Sequence, residues 1–137
     1  MTAIEDLDVG SALPAITKPS INRTTLALFC GASNDHNPIH VDIDFARRAG
    51  MEDVFAHGML SMAYLGQMLT NWVPQSAIRR FGVRFGAITH LGDEITCTGK
   101  VLEKLEEAGE TLLKLEIAAA DQYGEAKLIG HAIVAVS

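Results

Sequence analysis

Cysteine is scarce in this 137-residue chain: Cys30 and Cys97 stand far apart, each inside an apolar run, with no CxxC spacing. A disulfide or zinc framework is thereby excluded, and the two read as buried thiols of a reducing compartment. Basic residues are also few. The 11 Lys and Arg face 17 Asp and Glu, for a formal net charge of −6. With no basic patch to neutralise phosphates, a nucleic-acid partner is not expected. Long apolar runs are missing too. The nearest, Met59 to Val73, is interrupted by Ser61, Gln67, Thr70 and Asn71. It falls short of the roughly 20 residues that span a bilayer, so no membrane partner is expected. Ile4-Glu5-Asp6-Leu7-Asp8 is acidic where a secretory leader would be basic and then apolar, which makes a cytoplasmic location the expectation. There is no internal repeat, low-complexity tract or linker, and one domain over 1–137 is anticipated.

What is present is an ordinary globular composition, 48% hydrophobic and 20% charged. At this length roughly two-thirds of the unfolded chain's surface can be buried. The hydrophobic period changes along the chain. Residues 22–73 favour helix and residues 78–136 favour strand. Asn22 or Thr24 can cap a helix through Leu26, Leu28, Phe29 and Cys30, ending near Gly31. Asp42 can cap a short one through Phe45 to Arg48, closed by Gly50. A third is predicted from His57-Gly58 to Trp72, stopped by Pro74 and apolar on nearly every side, hence enclosed by protein. Beyond Pro74, period-two alternation predicts four strands, near 81–87, 95–105, 112–120 and 126–136. Glu107-Ala108-Gly109 and Asp121 to Gly124 read as hairpin turns. The economical packing is α+β, an antiparallel sheet wrapped around the long central helix. Its edges need protection, and dimerisation is one way to give it.

The stretch Ser33-Asn34-Asp35-His36-Asn37-Pro38-Ile39-His40-Val41-Asp42 is dense in ionisable groups. Residue types alone leave three readings open. A solvated polar turn suits Asn, Asp and Pro. A metal loop could use Asp35, His36, His40, Asp42 and Asp44, although Pro38 breaks any helical His pair and no calcium-loop glycine and final glutamate follow. Third, Asp35 and His40 could form an acid–base pair that holds one water between two proton acceptors.

Asp35-His36-Asn37-Pro38-Ile39-His40, followed by Ala56-His57-Gly58-Met59, resembles the MaoC-like (R)-specific hydratases and dehydratases of the hot-dog fold, whose two linked motifs read D-x-N-P-[IL]-H and A-H-G-M. The resemblance extends over the whole chain. From Ala56 through Trp72-Val73 to Val83-Arg84-Phe85 it is similar to the catalytic subunit of mycobacterial (3R)-hydroxyacyl-carrier-protein dehydratases. One position departs: the family's glycine before the aspartate is Asn34 here, a residue that tolerates left-handed angles.

The resemblance implies a single hot-dog domain acting on a 2-enoyl or 3-hydroxyacyl thioester carried by coenzyme A or acyl carrier protein, with no resident cofactor or metal. It implies that Asp35 and His40 are the acid–base pair and that the Gly58 amide receives the thioester oxygen. Asn37 and His57 are supporting residues. The expected assembly is a homodimer, or a heterodimer with a related hot-dog subunit. Two alternatives differ in class. A hot-dog thioesterase would carry its carboxylate on the central helix, yet positions 59–71 hold no Asp or Glu. A non-catalytic acyl-binding partner subunit would be expected to lack the Asp/His pair.

Overall fold

The computed structural model describes residues 7–136. Helix α1 (Arg23–Ser33) starts where Asn22 accepts from the Thr25 amide at 2.8 Å, which satisfies one free donor of the first turn. It does not stop at Gly31, as the sequence suggested. It runs on to Ser33 and ends at Asn34, whose φ of 62° is left-handed. Asparagine holds this angle at little cost, so the turn into Asp35 forms without a glycine. Pro38 then opens a 3-10 turn over Pro38–His40, and Asp42 caps the short α2 (Ile43–Arg48) by accepting from the Asp44 and Phe45 amides. The long apolar helix α3 spans Gly58–Thr70.

The strands are β1 (Ile16–Thr17), β2 (Ile78–Phe85), β3 (Thr96–Glu107), β4 (Glu110–Ala120) and β5 (Ala126–Ala135). All pair antiparallel, in the order β1-β3-β4-β5-β2. The four long strands are those anticipated, and β1 is an addition. The β3–β4 turn has Ala108 at φ 52° and Gly109 at φ 79°, the paired left-handed angles that a tight hairpin needs. In the β4–β5 turn, Asp121 Oδ1 accepts from the Tyr123 and Glu125 amides.

One sheet face packs on α3. Leu113, Leu115 and Ile117 of β4, Ala132 and Val134 of β5 and Cys97 of β3 are fully buried, as are Leu65 and Leu69 of the helix. Burial pushes the Cys97 thiol up to about 12, so it stays protonated and inert. Strand β2 reaches β5 at unusually short range. A Cβ on Gly130 would lie 2.7 Å from Val83 Cα and against the Gly82 carbonyl.

The expectation that α3 is enclosed on nearly every side needs correction. Leu60, Ser61, Tyr64, Leu65, Met68 and Leu69 are buried, but Met59 is 52% exposed and Ala63, Gln67 and Thr70 are open. A sheet covers only the side of the helix that it faces, and the remaining apolar stripe borders a groove. Strand β2 is an edge, hydrogen-bonded to β5 alone among the described residues.

Candidate active site

The loop from Ser33 to Asp42 is built from side chains that replace missing backbone partners. Ser33 Oγ donates to the Phe29 carbonyl and accepts from the Asp35 amide. Asp35 Oδ1 accepts from the Asn37 amide, and Asn37 Oδ1 accepts from the Ile39 amide. Successive Asx turns of this kind make a stiff loop from residues that would otherwise be solvated. They also leave the second oxygen of the Asp35 carboxylate without a partner among the described residues. Asn37 is thus placed as a brace.

His40 closes the 3-10 turn and is 8% exposed. Its Nδ1 lies 2.7 Å from the Phe55 carbonyl, which can only accept. In the neutral ring Nδ1 therefore carries the proton, and Nε2 presents a lone pair. His57, 1% exposed, stacks on His40 with ring centroids 3.8 Å apart at 24°. Its Nε2–H donates to the Asp35 carbonyl at 3.2 Å and has Cys30 Sγ at 3.5 Å, while Phe29 meets its ring edge-on. Burial holds the His57 pKa below the ordinary range, so the ring is neutral at pH 7.

Donor atoms of Asp35, His40 and His57 lie within 4.8 Å of one another. A shared metal would need imidazole lone pairs converging on one point in the ring planes. Two nearly parallel rings 3.8 Å apart aim theirs side by side, and one nitrogen of each ring is already committed as a donor to a carbonyl. One water suits the gap better, since it reaches two acceptors at about 2.8 Å each.

Gly58 is the first residue of α3 and is exposed; its amide donates to no acceptor among the described residues. A free amide at a helix start, with the helix dipole behind it, favours negative charge. A Cβ at this position would fall 2.7 Å from the Phe85 ring. Glycine is therefore required for Phe85 to lie against the helix start. Two cavities flank this turn. One, of about 370 Å³, is lined by Phe29, Asp35, Met59, Met62, Gly66 and Phe81. The other, of about 410 Å³, is lined by Phe55, Ala56, Gly58, Phe85, Ile88 and Leu128. Met59 and Met62 border the first cavity, whereas Met68, on the same helix, belongs to the core.

Among known proteins, the family model described as MaoC like domain matches residues 9–118. The chain belongs to the MaoC-like family. It is 33% identical over 96 residues to an (R)-specific enoyl-CoA hydratase of Rhodospirillum rubrum, which covers 69% of this chain. The match spans only 65% of that relative's length. A 3-oxo-4,17-pregnadiene-20-carboxyl-CoA hydratase beta subunit of Mycobacterium tuberculosis is 28% identical over 94 residues, covering 68% of this chain and 72% of that one. The R-hydratase PhaJ1 from Pseudomonas aeruginosa shares the fold with a TM-score of 0.81 and 30% identity, over 96% of this chain and 83% of that one. The architecture is the hot-dog fold.

In this MaoC-like chain the five residues singled out from sequence, Asp35, Asn37, His40, His57 and Gly58, come from one loop and one helix start. The structure brings Asp35, His40 and His57 within reach of each other, while His36 is exposed. Two contributors escaped the sequence. The Phe55 carbonyl that orients His40 is a backbone atom and leaves no trace in residue type. Phe85 was legible as an alternating strand residue, but nothing local told which helix position it would meet.

Proposed function

We propose that the chain interconverts a 2-enoyl thioester and an (R)-3-hydroxyacyl thioester by adding or removing water across C2–C3. In the hydration direction, Asp35 and His40 Nε2 hold the water between them, and one of the two takes its proton as the oxygen bonds to C3. The π pair of the alkene moves through C2 onto the thioester oxygen, where the Gly58 amide stabilises the enolate. Such a donor contributes on the order of 3 kcal/mol to the barrier. Collapse of the enolate takes a proton at C2, returned by the same pair, and the balance is one water consumed. The acyl chain lies in the groove bordered by Met59, Met62, Gly66 and Phe81. The pantetheine arm of coenzyme A or acyl carrier protein leaves past Phe85 and Ile88.

The single observation that supports this reading is the convergence of a free carboxylate oxygen and a bare His40 nitrogen at the mouth of an apolar groove. Helix α3 itself carries no Asp or Glu, which leaves the thioesterase reading without a carboxylate at its usual place. Mixing purified protein with trans-2-enoyl-CoA tests the proposal. Loss of the conjugated-thioester absorbance with formation of the (R) alcohol supports it; release of free thiol, or no reaction, refutes it.

The proposed assembly is a pair of hot-dog domains, formed with a second copy or with a related subunit. The unpaired edge of β2 and the half-exposed Phe85 and Ile129 support it. The existence of a relative that is one subunit of a hydratase supports the unlike pair. Sedimentation that finds a stable monomer at micromolar concentration, with any cognate partner present, refutes the pairing.

A further inference from the structure

Lys127 is 1% exposed, and a buried ammonium has to be surrounded by acceptors. Its Nζ donates to the Ile88 carbonyl at 2.9 Å and to Glu125 Oε1, with Asp121 Oδ2 at 3.3 Å and Asp93 Oδ2 at 3.5 Å. Burial draws the ammonium's pKa down, but the bonds to Glu125 and Asp121 and the charge of Asp93 outweigh that, and the net direction is upward. Lys127 is charged at neutral pH. One side chain thus ties together β5, the β4–β5 turn and the segment that follows β2.

A bulge puts it there. The ladder pairs Ala119 with Leu128 and Ala120 with Ala126, which leaves Lys127 as the extra residue. Lys127 and Leu128 are therefore both buried, against the strand's alternation. An extra residue of this kind re-aims a side chain that a regular strand would point outward.

The segment held by Lys127 leads to the candidate active site through consecutive bonds. Asp93 Oδ2 accepts from the His90 amide at 2.8 Å. His90 forms a strand bridge with Phe55, and the Thr89 carbonyl accepts from the Ala56 amide at 2.9 Å. The Phe55 carbonyl in turn receives the His40 Nδ1 proton at 2.7 Å, and the chain passes from Ala56 through His57 to Gly58. The links from the ammonium to the imidazole are hydrogen bonds, the Lys127–Asp93 ion pair, one backbone pairing and the chain itself.

We propose that Lys127 is a positioning residue for the reaction: by pinning residues 88–93 it fixes the Phe55 carbonyl, and with it the tautomer and aim of His40. The proposal rests on the role given to His40 above. Displacing a catalytic group by about 1 Å costs on the order of 10²-fold, so loss of the clamp should lower kcat by roughly 10- to 100-fold. KM should change less than kcat, because the clamp does not touch the acyl groove and, on the carrier path, holds only the Ile88 backbone.

The test is Lys127→Met, which keeps the apolar stem and removes the ammonium. Lys127→Met combined with Asp93→Asn and Asp121→Asn removes the stranded carboxylates too, and is used if the single variant does not fold. Asparagine at 93 still accepts from the His90 amide. Imidazole ¹⁵N signals of His40, kcat and KM are read on folded protein. The expected result is His40 signals moving from one tautomer toward a mixture, with kcat reduced by a larger factor than any rise in KM. Lys127→Gln, which retains an N–H for the Ile88 carbonyl, should lie between. A folded variant with unchanged His40 signals or unchanged kcat overturns the assignment. The ¹⁵N signals need no substrate, so a wild-type protein that fails to hydrate an enoyl thioester would sink the proposed function while still allowing Lys127 to be judged.

Discussion

Acidification should destabilise this fold through His57. The ring is 1% exposed, its Nε2–H is committed to the Asp35 carbonyl, and its Nδ1 has no partner among the described residues. A proton added at Nδ1 would find no acceptor and would sit against a second imidazole 3.8 Å away. Burial, as the main cause, therefore holds the folded pKa below the ordinary 6.5, and the charge of His40 acts in the same direction. In the unfolded chain the same ring titrates normally. Between the ordinary value and the lowered one, the unfolded state binds a proton that the native state refuses. Stability consequently falls as pH falls through this window, by up to about 1.4 kcal/mol per pH unit, and above it the effect vanishes. Urea unfolding of wild type and His57→Gln across this range isolates the contribution, because the remaining histidines are common to both. Glutamine can still donate to the Asp35 carbonyl but cannot titrate. The variant should lose stability less steeply on the acid side, by up to one proton. Parallel pH profiles would refute the reasoning.

Gly58→Ala adds helix propensity but pushes the half-exposed Phe85 ring off the helix start. The thermal midpoint should hold or rise slightly while kcat falls at least about 10-fold; full activity would show that the close approach is immaterial. Gly130→Ala drives a methyl into the β2 backbone and should cost about 3 kcal/mol or more, read as a midpoint drop of roughly 10 °C. Asn34→Ala should cost about 1 kcal/mol for a left-handed non-glycine residue, and Asn34→Gly should be near neutral in chemical unfolding.

Local signals carried much of this fold. Asn22 and Asp42 are caps whose side chains bond the next turn, and Pro38 and Asn37 fix a loop through contacts no more than a few residues apart. The Asp35–His40 pair was one of three readings that residue types left open, and the resemblance to a known motif selected it. What the sequence hid is set by tertiary contact. The pairing of β2 with β5 across intervening strands depends on a glycine that no local pattern explains. Lys127 sits in a strand whose alternation would aim it at water, and only a bulge and three carboxylates from distant or turn positions make its burial tolerable. The open stripe of α3 could not be read from composition either. Its residues are as apolar as those beneath the sheet, and only the reach of the sheet separates them.

The central claim is that Asp35 and His40 act as one unit on one water. Hydration of trans-2-enoyl-CoA by wild type, Asp35→Asn, His40→Ala, the double variant and His36→Ala tests it most directly, with folding checked by circular dichroism. General acid–base catalysis contributes on the order of 10²–10⁴-fold, so each single variant should lose at least about 100-fold in kcat. The double variant should be little worse than either single, since groups that act together are not additive. His36 is exposed and outside the cluster, and His36→Ala should keep most activity. Near wild-type hydration by both Asp35→Asn and His40→Ala would contradict the account, and so would a His36→Ala variant as inactive as His40→Ala.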